Sequence, residues 1–367
     1  MMRYAPPVTL LVLALCLAAP VARGQGSADS SRLIPLPPPH KGLSFSVHWD
    51  TDIYGNLDGG ARRGYATDSV LSLGLGLDSG ALGAWRGGQF ALGLQAIAST
   101  HPSRYVGDIQ TLSNLDAPNQ RQVSQFWYSQ AFGHSLVRAG LMDLNSFFDT
   151  NGTASLFTQA SFGITPTLTL NVPTATYPDP AWGMMTRFGT VQNGWRAGLF
   201  QGNPEDRSSA LKGGAMLIGE RDWRPSAGDG PQIGIGGWYR RAPAADGPPT
   251  SDWGAYANLE QPLPGHHDTV TFLQAGVSPG KINPVPAYLG GGIRFRDVSS
   301  TVSDVGFGFA RAWIRNHAAE TSIEATALMP LFGGCVALQP DVQYIFHPAG
   351  IYPNALAIAL RLHLTFY

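Results

Sequence analysis

The sequence predicts an all-β protein, a transmembrane antiparallel β-barrel of about 16 strands with a constriction loop folded into its lumen. Three observations predict it: a recurring two-residue alternation, a charged fraction of only 13% over 367 residues, and the lack of long apolar runs after the N-terminus. Soluble domains carry about 25% charged residues. A barrel in lipid needs few charges on its outer belt and crosses with short alternating strands instead of long apolar helices.

The alternation is clearest in the last segment of the chain. One phase is apolar and the other is small or polar, namely Leu356, Ile358, Leu360, Leu362, Leu364 and Phe366 against Ala357, Ala359, Arg361, His363 and Thr365. A period of two places the phases on opposite faces of a strand. We therefore expect the leucine face to meet lipid, and Arg361 and His363 to lie in a wet lumen.

Comparable segments, each broken by Gly, Pro, Asn or Asp, recur along the whole chain. We predict strands that begin near Leu43, Asp68, Gln89, Val123, Leu136, Trp182, Trp195, Ala210, Gln232, Asp252, Val270, Ala287, Asp304, Glu320, Val336 and Ala355. A barrel of about 16 strands encloses an aqueous lumen, whereas about eight strands leave room only for side chains.

Aromatic residues near the predicted strand ends suggest membrane-interface girdles. The candidates are Trp49, Tyr54, Trp85, Tyr105, Trp127, Tyr128, Trp182, Trp195, Trp223, Trp238, Tyr239, Trp253, Tyr288 and Trp313.

The N-terminus predicts export. A short positive start precedes the apolar run 8–21, and Ala22 and Gly24 supply small residues for a cleavage site. We therefore divide the chain into a signal peptide (1–24), a proline-rich periplasmic leader (25–42) and the barrel (43–367). Removal of the signal takes Cys16 with it and leaves Cys335, so no internal disulfide is expected.

Composition and motifs argue against several functions. A net charge of −1 gives no electrostatic basis for a nucleic-acid partner. The 9 histidines are scattered and no Gly-x-Ser-x-Gly elbow occurs, so we predict no catalytic residues, no metal and no cofactor.

Two segments lack strand character and are candidates for the constriction. Asn145–Asp179 is long and rich in Ser, Thr, Asn, Gly and Pro, and His101–Arg121 is the second candidate. Long loops in compact proteins are usually functional or disordered.

Several strings in the first half of the chain resemble the carbohydrate-selective porins, the OprB-type family of outer-membrane sugar channels. They are Tyr54–Gly64, Tyr105–Pro118, Gln125–Gln130, Ala139–Phe148, Asn171–Pro173, Tyr177–Pro178 and Gly198–Pro204. The resemblance implies a Gram-negative outer-membrane location, passive uptake of small sugars such as glucose, and no enzymatic activity. Gln125 departs from it, because an acidic residue is expected there, and that change would alter selectivity.

The candidate substrate-binding residues are polar groups that could line a constriction and exchange hydrogen bonds with sugar hydroxyls. They are Arg63, Asp108, Gln110, Asn114, Asp116, Arg121, Gln125, Asp143, Asn145 and Arg187. An Arg fork can hold two sugar oxygens in one plane. For Asp108 and Asp116, the alternative that their side chains only cap turns of the backbone is given equal weight.

Two other functions remain open from the sequence alone. The first is a secreted soluble β-protein that binds carbohydrate, which would have no apolar belt facing lipid. An outer-membrane barrel enzyme predicts fewer strands and a lipid-side Ser or His. For the porin, the expected partners are sugars, outer-membrane lipid and, as in many porins, two further copies in a homotrimer.

Overall fold

The computed structural model describes residues 41–190, 193–208, 213–224, 230–243 and 250–367. Sixteen strands account for most of them: β1 Leu43–Asp58, β2 Gly64–Asp78, β3 Gly88–Ser99, β4 Gln120–Phe132, β5 Ser135–Met142, β6 Ala181–Gly189, β7 Asn193–Gln201, β8 Ala215–Trp223, β9 Gln232–Ala242, β10 Thr250–Leu263, β11 His266–Val277, β12 Ala287–Arg296, β13 Asp304–Trp313, β14 Glu320–Leu331, β15 Val336–Phe346 and β16 Ala355–Phe366.

Each strand pairs antiparallel with its neighbours in sequence, and β16 pairs with β1 to close the barrel. Val47, near the start of β1, lies opposite Phe366 at the end of β16, so the first and last strands meet at one end. We call this the turn end and the opposite end the loop end. In the described residues, no helix has the length and apolar character needed to cross a membrane.

The outward phase of the strands is apolar. Leu217, Ile235 and Phe307 are 53%, 59% and 51% exposed, and their sequence neighbours in the opposite phase are mostly buried. Exposed apolar side chains in a continuous belt are unfavourable in water and favourable in lipid. Ile358 and Leu360 of the predicted leucine face of β16 are exposed, whereas Leu364 on the same face is only 7% exposed.

The inward phase is polar, but one expectation about it is wrong. Arg361 does not face a water-filled lumen. It is 6% exposed and forms a buried ion pair with Asp52 on the adjacent β1. The reason is that the lumen loops cover this part of the wall and exclude water from it.

Strand positions follow the predictions closely. Seven strands begin where the sequence predicts, at Leu43, Gln232, Ala287, Asp304, Glu320, Val336 and Ala355. β2 and β11 begin four residues earlier than predicted, because the partner strand continues to pair with Gly64 and His266 beyond the apolar run. The predicted start at Ala210 lies outside the described residues, and β8 begins at Ala215.

Four of the predicted girdle aromatics on strands lie in the lumen instead, and Tyr105 lies in the short helix Ser103–Val106 and not on a strand. Tyr54, Trp127, Trp238 and Tyr288 are at most 7% exposed, because they fall in the inward phase of their strands and pack there. Trp85, Trp195, Trp223 and Trp253 are exposed, as a girdle requires.

Two loops from the loop end enter the barrel. The short lumen loop (100–119) contains the helix Ser103–Val106. The long lumen loop (143–180) contains 3-10 helices Leu144–Ser146, Ala154–Leu156 and Ala160–Phe162 and the helix Pro166–Thr169. Two more 3-10 turns, Phe332–Gly334 and Pro348–Gly350, connect the last strands. The predicted signal peptide and all of the leader except residues 41–42 lie outside the described residues.

Candidate constriction of the lumen

The long lumen loop is fixed to the wall by apolar packing. Phe148 and Leu168 join Phe200 and Met216 of the wall in one buried cluster. Phe157 and Phe162 join Phe272, Tyr288 and Ala310 in a second. These two clusters place buried apolar packing between the long lumen loop and the inner wall.

Wall carboxylates hold the backbone of the same loop. The Glu324 carboxylate accepts the backbone N–H of Thr158 at 2.5 Å and that of Gln159 at 3.2 Å. Glu220 accepts the N–H of Asp149 at 2.8 Å. Backbone groups of an irregular loop have no ladder partner, so these carboxylates supply acceptors that the buried loop would otherwise lack.

The short lumen loop is fixed in the same way, by Glu320 of β14, the strand that also carries Glu324. Glu320 accepts the backbone N–H groups of Ile109 (2.9 Å) and Gln110 (3.0 Å). Arg361 donates to the side-chain oxygen of Asn114 at 2.9 Å while it pairs with Asp52. The Asn114 backbone N–H donates to the Thr158 carbonyl at 2.7 Å, which joins the two loops.

A cavity of about 170 Å³ lies between the two loops. The short loop lines it mainly with polar residues: Gln110, Thr111, Ser113, Asn114 and Asp116. The long loop contributes the apolar surface of Ala160, Ile164, Pro166, Leu170, Tyr177 and Pro178, together with the polar residues Ser161, Thr169 and Thr176. A solute at this point would meet mainly hydrogen-bonding groups on the short-loop side, and hydrocarbon beside three hydroxyl residues on the long-loop side.

Three predicted substrate-binding residues line this cavity: Gln110, Asn114 and Asp116. Asp116 is oriented by the Nδ1 atom of His101 at 2.7 Å and by the hydroxyl of Ser99 at 3.1 Å. The turn-cap alternative for Asp116 holds only weakly, since the contact to the Ser103 N–H is 3.4 Å long.

Asp143 and Asn145 serve the architecture of the long loop. Asp143 accepts the N–H groups of Asn145 (2.7 Å) and Tyr177 (3.1 Å), which joins the two ends of the loop. The Asn145 amide donates to three loop carbonyls, those of Phe148, Asp149 and Gly163. Neither residue lines the cavity.

The remaining predicted residues also lie away from the cavity. Arg63 forms an exposed ion pair with Asp58 at the loop end. Arg121 is exposed in the same outward phase as Val123, because strand alternation turns it away from the lumen. Gln125 is buried in the wall and accepts from the indole N–H of Trp127 at 3.1 Å.

Asp108 is buried beside the short loop's anchor and does not line the cavity. Burial, and next the nearby Glu320 carboxylate, raise the pKa of Asp108 well above its usual range. Arg187 lies on the inward phase of β6 toward the turn end, directly opposite Arg196 of β7.

Sequence reasoning missed the wall residues that fix the loops and a lumen arginine on β5. Glu220, Glu260, Glu320, Glu324 and Arg138 were not among the candidates. All five stand in the polar phase of an alternating strand, so the phase of each predicted strand was the signal that could have identified them.

Comparisons with known proteins agree with this geometry. The family profile described as "Carbohydrate-selective porin, OprB family" matches residues 62–366. The high-pH structure of Pseudomonas putida OprB superposes with a TM-score of 0.78 at 19% identity, over 89% of this chain and 94% of that one. OmpTΔL8 of Vibrio cholerae (TM-score 0.54, 10% identity, 88% and 99% coverage) and a mutant Rh. blastica porin (0.52, 9%, 88% and 100%) share the fold. No significant match was found among curated protein sequences.

A closed 16-stranded barrel with an apolar outer belt and a lumen narrowed by loops defines an outer-membrane porin. The chain belongs to the carbohydrate-selective porin family, OprB. It resides in the outer membrane and allows sugars to diffuse passively across it.

Proposed function

We propose that the cavity between the short and long lumen loops is the part of the channel that selects sugars. Its two unlike faces carry the proposal: Gln110, Asn114 and Asp116 on one side, and Ile164 and Leu170 on the other. A sugar ring has hydroxyls around its edge and C–H groups on its faces, so both kinds of surface can replace water around it. Binding must stay weak, because a tightly held solute does not conduct.

The size of the cavity favours monosaccharides such as glucose. Its volume is about 170 Å³. Both loops that bound it are pinned to the wall, so the gap has little freedom to widen for a larger solute.

Liposome swelling tests this proposal. The wild type should admit glucose faster than maltose by a larger factor than free diffusion predicts. Leu170→Ala removes bulk from the apolar face and should reduce that factor, whereas Asn114→Ala should slow glucose itself. Equal glucose-to-maltose ratios in all three proteins would refute the cavity as the selective step.

The finer assignments follow from this function. We propose that the barrel acts as a channel without enzymatic activity, and that outer-membrane lipid surrounds its apolar belt. Residues 1–24 would be the export signal and residues 25–42 a periplasmic leader. A homotrimer stays a prediction, which cross-linking in mild detergent tests by the size of the linked species.

A further inference from the structure

Three arginines lie side by side on the inward phase of adjacent strands: Arg138 on β5, Arg187 on β6 and Arg196 on β7. Arg187 pairs directly with Arg196 across the strands, and its partner on the other side is Leu136, two residues from Arg138. β5 runs from the turn end toward the long lumen loop, so this group faces the lumen on the turn-end side of that loop.

Only one of the three charges is compensated by acidic groups. Arg196 forms ion pairs with Glu220 and Asp222 of β8. Within the described part of the chain, neither Arg138 nor Arg187 has an ion pair or a hydrogen bond, and the Nε atom of Arg138 is buried without a partner. A buried donor without a partner is costly, and no protein group in the described chain offsets that cost.

The guanidinium of Arg138 is held in a defined orientation by aromatic rings. Its Cζ atom lies 3.6 Å from the Trp127 ring centroid and 4.8 Å from that of Phe147. Rings that cover the faces of a guanidinium leave its edge free, and because Nε of Arg138 is buried, its two terminal nitrogens are the donors open to the lumen. That fork matches the two oxygens of a carboxylate, and an Arg–carboxylate contact is stronger than a contact to a neutral hydroxyl.

We propose that Arg138, supported by Arg187, forms a second solute site that takes the carboxylate of acidic monosaccharides. The proposal rests on the channel function and widens its substrate class from neutral sugars to sugar acids. Such a solute would pass through the cavity between the loops. On the turn-end side, its carboxylate would then replace its hydrogen bonds to water with hydrogen bonds to the Arg138 guanidinium.

The test measures how glucose and glucuronate block single-channel current in planar bilayers. In Arg138→Gln, the half-blocking concentration of glucuronate should rise on the order of tenfold, the loss of one charged hydrogen-bonded contact. That of glucose should change less than about twofold, since the cavity between the loops is intact. Arg138→Lys keeps the charge but lacks the two parallel N–H donors of a guanidinium. Its half-blocking concentration of glucuronate should lie between those of the wild type and Arg138→Gln.

Arg221→Gln is the matched control. Arg221 also stacks on a tryptophan, with Cζ 4.6 Å from the Trp195 centroid, but it lies in the outward phase of β8. Arg221→Gln should leave the current block by both glucose and glucuronate unchanged. Heat-dependent gel migration verifies folding, and if Arg138→Gln does not fold, Arg187→Gln should change glucuronate block in the same direction.

An unchanged glucuronate block in the Arg138 and Arg187 variants would overturn this site. If glucose still blocks in that case, the sugar-channel function stands and only the acidic-sugar site fails. A folded protein that conducts no current would instead remove the channel function on which the site rests.

Discussion

Glu260, on the inner face of β10, accepts two hydrogen bonds from Thr153 of the long lumen loop. The Thr153 N–H lies 2.9 Å and its hydroxyl 2.6 Å from the carboxylate, and the Gly152 N–H lies 2.9 Å from the other carboxylate oxygen. Together with the hydrogen bonds to Glu220 and Glu324, this contact fixes the long lumen loop to the inner wall of the barrel. The constriction is therefore a fixed structure, whose width is set by side chains.

Glu260→Gln should loosen the loop. The amide presents an NH₂ group where a carboxylate oxygen now accepts, and removal of a charged acceptor costs about 1–3 kcal/mol. We expect noisier open-channel current and weaker block by glucose in planar bilayers. Glu205→Gln, in the exposed loop before β8, is the control and should behave like the wild type. Quiet current in Glu260→Gln would mean that packing alone fixes the loop.

Arg361→Gln should destabilise the barrel strongly. Asp52 would remain buried with its charge uncompensated, and loss of one partner of a buried pair costs about 3–5 kcal/mol. The midpoint of urea unfolding measures the effect. Arg63→Gln breaks the exposed pair with Asp58 and should leave the midpoint unchanged. Similar midpoints for the two variants would argue against a structural role for Arg361.

Gly308→Val should displace the long lumen loop from the wall. A Cβ atom at Gly308 would lie 3.0 Å from the rings of both Phe157 and Phe162, so a larger side chain must push them toward the lumen. Overpacking of this kind costs about 1–3 kcal/mol, and we expect a lower single-channel conductance. Gly219→Val adds the same side chain on the outward face, where the nearest atom is 3.8 Å away. Equal conductance in both variants would contradict the predicted displacement.

Asp108→Asn should stabilise the protein at pH 8. Because the pKa of Asp108 is raised in the folded chain, its carboxyl keeps its proton to a higher pH there than in the unfolded chain, which ionises it above about pH 4. Wild-type stability therefore falls as the pH rises through that range, and the amide removes the effect. Urea midpoints should be higher for the variant at pH 8 and equal at pH 3. A lower midpoint for the variant at pH 8 would contradict a raised pKa of Asp108.

Most of the fold was predictable because lipid on one side and polar groups on the other impose a strict period of two. The starts of β9 and β12–β16 follow directly from that pattern. The exceptions have local causes: β2 extends to Gly64 because a partner strand is present, and Tyr54 and Trp127 face inward because of their phase rather than their residue type.

The site was less predictable, since its geometry depends on contacts between residues that are far apart in sequence. Asn114 lines the cavity because Arg361, 247 residues later, holds it there. Residue type alone could not separate Asn114 from Asn145, which binds its own loop. Nor could it show that Arg121 faces outward while Arg138, in a less polar segment, faces the lumen.

The most direct test of the central claim is single-channel conductance of the refolded protein in a planar bilayer during titration with glucose. A fixed constriction with a weak sugar site predicts stable current steps that glucose reduces in a saturable, concentration-dependent way. Stable steps that glucose leaves unchanged, or folded protein that gives no steps, would contradict it.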